Sequence, residues 1–223
     1  MSLDIARVQA LFFDVDGTLS DTDDLYVRRL RHWLSPLERL LPSFDAQRVA
    51  RALVMRAETP GNAVYALADA LGLDDLAYRM FSRLPHREAK PHFLLIPGVR
   101  AMLERTARRY PLAVISARGE LSTRQFLAQY DLEGFFQEIV TAHTCKRTKP
   151  SPEPVLWAAA RMGIPAECCV MIGDTTVDIR AGKAAGAQTI GVLCGFGERD
   201  ELSRTGVDLI LESTAEVADV FGC

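Results

Sequence analysis

No run of apolar residues in the 223-residue chain approaches the roughly twenty needed to cross a bilayer as a helix. A membrane-spanning role is therefore not expected. The sequence also has little net charge, 26 Lys and Arg against 29 Asp and Glu, a formal −3. That removes any global electrostatic case for nucleic acid or a membrane surface as partner. Its five cysteines, Cys145, Cys168, Cys169, Cys194 and Cys223, form no C-x-x-C and no metal-ligand spacing. An odd, irregular set reads as reduced thiols and points to the cytoplasm, not to a disulfide framework. A cleavable leader is not expected, because the first strand starts near Ala10 and carries the carboxylates on which the function turns. Internal repeats and low-complexity segments are absent as well. What is present is an ordinary globular composition, 48% hydrophobic and 25% charged, long enough for one α/β core with an insertion.

Short apolar runs bounded by turn residues recur at Ala10–Asp14, Leu112–Ser116, Glu138–Thr141, Cys169–Gly173 and Gln188–Leu193, with a sixth at Leu209–Leu211. They are too short for helices and nearly continuous in apolar character, as strands buried on both faces must be. Helical spacing separates them. Val99, Met102, Leu103 and Thr106 form a stripe that opens after Pro97-Gly98. A second stripe (Val155, Leu156, Ala159, Met162) follows Ser151 as N-cap and Pro152 at the first helical position. The alternation predicts an α/β fold, a doubly wound, mainly parallel Rossmann-like sheet.

One stretch breaks the pattern. Residues 21–96 hold no convincing strand but several helical stripes, among them Leu30, Trp33, Leu34 and Leu37, and then Val64, Leu67, Ala68 and Leu71 closed by Gly72. Asp74 caps a third run through Leu76, Met80 and Leu84. A crossover this long exceeds what a βαβ unit needs. We therefore expect two domains, a core of residues 1–20 and 97–223 and a helical insertion of residues 21–96. The alternative is a set of extra helices packed directly on the sheet.

The chemistry gathers where the strands end. The first runs into Asp14-Val15-Asp16-Gly17-Thr18. Ligands of open parallel sheets bind at the carboxyl ends of strands. Two carboxylates at that spacing repel unless a cation or phosphate dictates their positions. Taken alone, the segment could be an ordinary Asp-Gly turn. The other strand ends argue against that. Ser116-Ala117-Arg118 ends the second, Lys149 precedes the helix after the third, and Gly173-Asp174-Thr175-Thr176-Val177-Asp178 ends the fourth. Each has a bland account as a turn former, a solvated charge or a helix-start residue. Jointly the bland account is poor.

This ordered set resembles the haloacid dehalogenase-like hydrolase superfamily in its four motifs: D-x-D-G-T at Asp14–Thr18, the strand-end hydroxyl at Ser116, the lysine at Lys149, and G-D-x-x-x-D at Gly173–Asp178. The helical insertion resembles that family's C1-type cap. The resemblance implies a phosphatase in which Asp14 is the nucleophile, forming an aspartyl-phosphate. It implies a Mg²⁺ held by the Asp14 carboxylate, the Asp16 backbone carbonyl and Asp174. Asp16 would protonate the leaving alkoxide and then deprotonate the attacking water. Dehalogenases lack an acid at that position, so Asp16 favours phosphoryl transfer over halide displacement. Ser116, Ala117 through its backbone N–H, and Lys149 would bind phosphate oxygens. Asp178 would orient Lys149 or a metal-bound water. Thr18 would place a hydroxyl near the metal or phosphate, or only stabilise its turn. Arg118 would touch a substrate anion or face solvent.

The implied substrate is a small phosphorylated metabolite. Between Asp21 and Ile96 there are eleven Lys or Arg against ten Asp or Glu, together with His32, His86 and His92. His86, Arg87 and Lys90 are the basic cluster most suited to an anionic substrate. A β-phosphoglucomutase-like mutase shares the Asp14/Asp16 chemistry and is the nearest rival. A silent binding protein on the same fold is the rival from another class, and it predicts decay of a set that is here intact. The resemblance leaves monomer or homodimer open.

Overall fold

In a computed structural model the described residues are 3–21, 34–35 and 93–223. The chain divides into two units, residues 1–23 with 93–223, and residues 24–92. The expectations for the insertion's helices and its basic cluster lie outside the described residues, apart from Leu34 and Ser35, which are helical.

The first unit is built on six strands: β1 (Ala10–Phe13), β2 (Leu112–Ile115), β3 (Phe136–Val140), β4 (Cys169–Gly173), β5 (Gln188–Val192) and β6 (Leu209–Leu211). All pair in parallel, in the order β3-β2-β1-β4-β5-β6. The sheet is thus the expected doubly wound form. Each apolar run became a strand, with ends within two residues of those read from the sequence. The helices between them are α1 (Val99–Thr106), α2 (Glu120–Gln129), α3 (Glu153–Met162), α4 (Thr176–Ala184), α5 (Arg199–Arg204) and α6 (Val217–Val220).

Side chains of β1 alternate between two cores, as strand geometry requires. Leu11 and Phe13 pack with Val99, Met102 and Leu103 of α1, Phe126 and Leu127 of α2, and Val217 of α6. Ala10 and Phe12 face Val155, Ala158 and Ala159 of α3 and Ala181 of α4. Helices therefore cover both faces, which is why β1, β2, β4 and β5 are buried end to end.

Two details of α3 differ from the sequence reading. Its N-cap is Pro152 rather than Ser151, although the Ser151 hydroxyl still accepts from Glu153 N–H at 3.3 Å. Its buried face is Pro154, Val155, Ala158 and Ala159, while Leu156 is 44% exposed. Both Leu156 and Ala158 fit an apolar stripe through Val155 and Ala159. The smaller alanine was taken into the face against the sheet, where close helix approach favours it.

Strand order reverses about β1: the chain moves from β1 outward to β2 and β3, then crosses back to β4 on the other side. A crevice opens at such a switch point, at the carboxyl ends of the strands. The chain leaves and re-enters the core beside it on a short antiparallel ribbon. Asp21 N–H donates to the Leu94 carbonyl at 2.8 Å and Ile96 N–H to the Leu19 carbonyl at 3.0 Å.

Candidate active site

Asp14 is the first residue past β1, pinned by its N–H donating to the Ile172 carbonyl of β4 at 2.9 Å. After it the chain folds tightly. The Val15 carbonyl accepts from the N–H groups of Thr18, Leu19 and Ser20, and Gly17 takes a φ of 71°, where glycine is favoured. The turn expected at Gly17 is therefore present.

Asp14 does not face solvent. Lys149 Nζ donates to Asp14 Oδ1 at 2.6 Å and to Asp178 Oδ1 at 2.6 Å, with all three side chains at least nine-tenths buried. Asp178 Oδ2 is also engaged, accepting from Thr175 N–H at 3.1 Å and Thr175 Oγ1 at 2.6 Å at the start of α4. Gly173 makes this possible. A Cβ there would lie 2.3 Å from Asp178 Cβ, so only glycine lets the Asp178 side chain pass. Asp178 thus bonds Lys149 through one oxygen and the start of α4 through the other.

Asp174, fully buried, accepts from Phe196 N–H at 2.8 Å through Oδ2 and from Thr18 Oγ1 at 3.4 Å through Oδ1. Thr18 is thus turned to a carboxylate, and its own carbonyl accepts from Thr214 Oγ1 at 2.6 Å. The Gly195-Phe196-Gly197 segment that supplies the Phe196 N–H was not foreseen. A Cβ at Gly195 would sit 2.2 Å from Asp174 Oδ2, and one at Gly197 would sit 1.7 Å from the Asp174 carbonyl oxygen. Backbone is laid directly on Asp174, which only glycine on both sides allows. A Gly-x-Gly beginning three residues past the end of a buried strand was the available signal.

The electrostatics are unbalanced. Asp14, Asp174 and Asp178 each offer an oxygen within 4.8 Å of the others, and among the described residues Lys149 is the cation bonded to them. Burial, opposed by Lys149 and reinforced by the Asp178 and Asp16 charges, pushes the Asp14 carboxyl up to about 7. Burial and the neighbouring Asp178 and Asp14 charges likewise push Asp174 well above the usual carboxylate range. Burial works to lower Lys149, but Asp14 and Asp178 outweigh it and hold the ammonium above its ordinary value. Three hard oxygen donors with one cation form a set that suits a divalent metal.

The remaining residues of the expected set lie on the loops after β1 and β2. Ser116 is buried at the end of β2, its N–H on the Val140 carbonyl and its hydroxyl accepting from Arg118 N–H at 3.1 Å. Ala117 is exposed. The Asp16 carboxylate is not part of the cluster formed by Asp14, Asp174 and Asp178. It is gripped by Arg118, whose Nε donates to Oδ2 at 2.5 Å and whose Nη2 donates to Oδ1. Arg118 therefore faces a carboxylate of the chain itself, where the sequence had offered only substrate or solvent.

The family model for haloacid dehalogenase-like hydrolases matches residues 11–192. The chain belongs to that family. Among its members, a phosphoglycolate phosphatase of Chromobacterium violaceum is 32% identical, over 98% of this chain and 98% of its own. The pyrophosphatase PpaX of Bacillus velezensis is 28% identical over 97% of each. Among solved structures, a putative β-phosphoglucomutase from Thermotoga maritima superposes with a TM-score of 0.63 at 25% identity, covering 96% of this hydrolase and 99% of that chain. No helix among the described residues of the hydrolase is long and apolar enough to cross a membrane.

Proposed function

We propose that this hydrolase is a Mg²⁺-dependent phosphomonoesterase that cleaves a small phosphorylated metabolite through an aspartyl-phosphate on Asp14. The observation that carries the reading is Asp14 itself, a buried carboxylate at the switch point, fixed by Lys149 at 2.6 Å within an acidic group of matching donors. The phosphatase names of its relatives support the reaction class.

The Asp14 carboxylate, the Asp16 backbone carbonyl and Asp174 would hold the ion, and the chemistry it supplies is charge cancellation between a carboxylate nucleophile and an anionic phosphate. In the first step an Asp14 oxygen forms a bond to phosphorus as the ester P–O bond breaks. The electron pair stays on the leaving oxygen, which takes a proton from Asp16. In the second step Asp16 takes a proton from the attacking water, whose oxygen bonds to phosphorus as the bond from the Asp14 oxygen to phosphorus breaks, releasing phosphate and restoring the Asp14 carboxylate. Lys149, Ser116 and the N–H groups following Asp14 and Ser116 bind the equatorial oxygens, whose charge grows in the transition state. Asp178 keeps Lys149 aimed. In this reading residues 21–96, inserted just after the first carboxylates, serve as the cap that selects the leaving group.

Hydrolysis of p-nitrophenyl phosphate that requires Mg²⁺ and is abolished by Asp14→Asn is the expected result. Hydrolysis that survives the substitution would refute the assignment, and inactivity toward a panel of phosphoglycolate, sugar phosphates, nucleotides and pyrophosphate would favour a binding role. The structural likeness to a putative β-phosphoglucomutase supports one second reading, a phosphosugar mutase. Isomerisation of a hexose phosphate without net phosphate release would establish it.

A further inference from the structure

We infer that Arg118 is a positioning residue for Asp16, aiming its carboxyl at the leaving-group oxygen, and that Phe93 and Phe126 set the aim. The inference rests on the roles proposed for Asp14 and Asp16. Three observations on different elements converge on it. The Arg118 guanidinium meets Asp16 with two nitrogens on two oxygens, a planar fork that fixes the carboxylate in rotation as well as position. The same guanidinium lies over the Phe93 ring at 5.1 Å and the Phe126 ring at 5.9 Å, and these two rings pack edge to face at 5.8 Å. Its side chain is 12% exposed against 33% for Asp16, so the arginine is the anchored partner and the aspartate the reachable one.

The anchor is itself anchored. Phe93 stands at the chain's return to the core, beside the ribbon of residues 19–21 and 94–96. Its N–H donates to Gln129 Oε1 at 3.3 Å, and its carbonyl accepts from Gln129 Nε2 at 2.8 Å and Tyr130 Oη at 2.7 Å. The backbone of Arg118 is tied on the other side, its carbonyl accepting from Ala142 N–H at 2.9 Å and its N–H on the Ser116 hydroxyl. Without such a partner, a third-exposed aspartate beside Asp14 would swing through solvent. A proton donor must lie within hydrogen-bond reach of the oxygen that takes the proton, so fixed aim is worth rate; the fork takes one lone pair of each Asp16 oxygen and leaves another to carry the proton that is passed on. Arg118 touches no reacting atom in this account; it acts through Asp16.

The test uses leaving-group dependence of kcat/KM, which reports events up to departure of the leaving group. A p-nitrophenolate leaves with little need of a proton, whereas an alkoxide needs one. Arg118→Met should lower kcat/KM by about 10–100-fold for an alkyl phosphate and by only a few-fold for p-nitrophenyl phosphate, within the usual range of general acid catalysis. Arg118→Lys keeps the charge without the fork or the stacking and should restore little of the loss. Phe93→Leu should give a smaller loss with the same leaving-group bias. In an Asp16→Asn background Arg118→Met should cost nothing further. Equal losses on both substrates, or additive losses with Asp16→Asn, would overturn the inference, since a merely structural role predicts both. Failure of the underlying reading looks different: the unaltered protein would then hydrolyse neither ester.

Discussion

Two ion-paired clusters sit at opposite ends of the same sheet and are built to opposite specifications. At the amino end, Lys183 Nζ donates to Asp208 Oδ1 at 2.6 Å, while Asp208 Oδ2 accepts from Thr189 N–H at 2.8 Å and Thr189 Oγ1 at 3.0 Å. One cation meets one carboxylate. Burial works to raise Asp208, but these donors outweigh it and hold the carboxyl below its usual range. At the carboxyl end, one lysine faces Asp14 and Asp178, with Asp174 close by, and burial and mutual repulsion raise both Asp14 and Asp174. Burial acts in the same direction at both ends, so the number of donors decides the sign. The amino end is electrostatically complete and serves the fold. Among the described residues the carboxyl end is short of positive charge, which is the state expected of a site that takes up a metal ion and an anionic substrate.

Breaking the unbalanced end should have the largest effect. Lys149→Met strands three buried carboxylates without a cation and should cost about 3–5 kcal/mol of stability in metal-free protein, along with turnover. Chemical denaturation at neutral pH checks this, and a loss below about 1 kcal/mol would mean the carboxylates are held by something else. The two ends should also respond oppositely to pH. Asp14 is raised in the folded state, so metal-free protein should lose stability as pH rises from about 4 to about 7, by a few kcal/mol at most from this group. Mg²⁺ should remove that slope. Asp208 is lowered, so its contribution is present above the unfolded carboxylate value and is lost as pH falls through the folded one. Denaturation midpoints across pH, with Mg²⁺ or a chelator, separate the two signs.

A smaller effect is expected from Gly197→Ala, which places a Cβ where the Asp174 carbonyl oxygen lies and should turn that carboxylate out of line. Mg²⁺ affinity, read by calorimetry or by the metal-dependent shift in melting temperature, should weaken about 10–100-fold. An unchanged affinity would show that the Gly-Phe-Gly segment does not set Asp174. The smallest effect belongs to the complete end. Asp208→Asn should cost about 1 kcal/mol, remove its own share of the acid-side slope, and leave kcat and KM unchanged.

How much of this was legible in the sequence follows from the range of the forces involved. The strands were, because burial on both faces demands a continuous apolar run whatever else the chain does. The places of Asp14, Ser116 and Asp174 were, because each closes an apolar run that becomes a central strand; Lys149, on the loop after the edge strand β3, was singled out by the resemblance of the whole set. The phase of α3 was not: Leu156 and Ala158 both fit the stripe, and only packing against the sheet chose the alanine. The Arg118–Asp16 pair was out of reach too, since it joins residues 102 apart through a side-chain orientation fixed by Phe93 and Phe126. Asp178 lay between these cases. Its place at the start of α4 was readable, but its grip on Lys149 needed the space left at Gly173.

The central claim is that Asp14 becomes covalently phosphorylated. Enzyme turning over a phosphate ester with Mg²⁺ can be quenched and treated with borohydride, which reduces an acyl phosphate to the alcohol, and the peptide carrying residue 14 then analysed by mass spectrometry. The account predicts homoserine at position 14, dependent on both substrate and Mg²⁺ and absent elsewhere in the chain. Unmodified aspartate at position 14 during steady turnover, with the reduced residue found at another site, would contradict it.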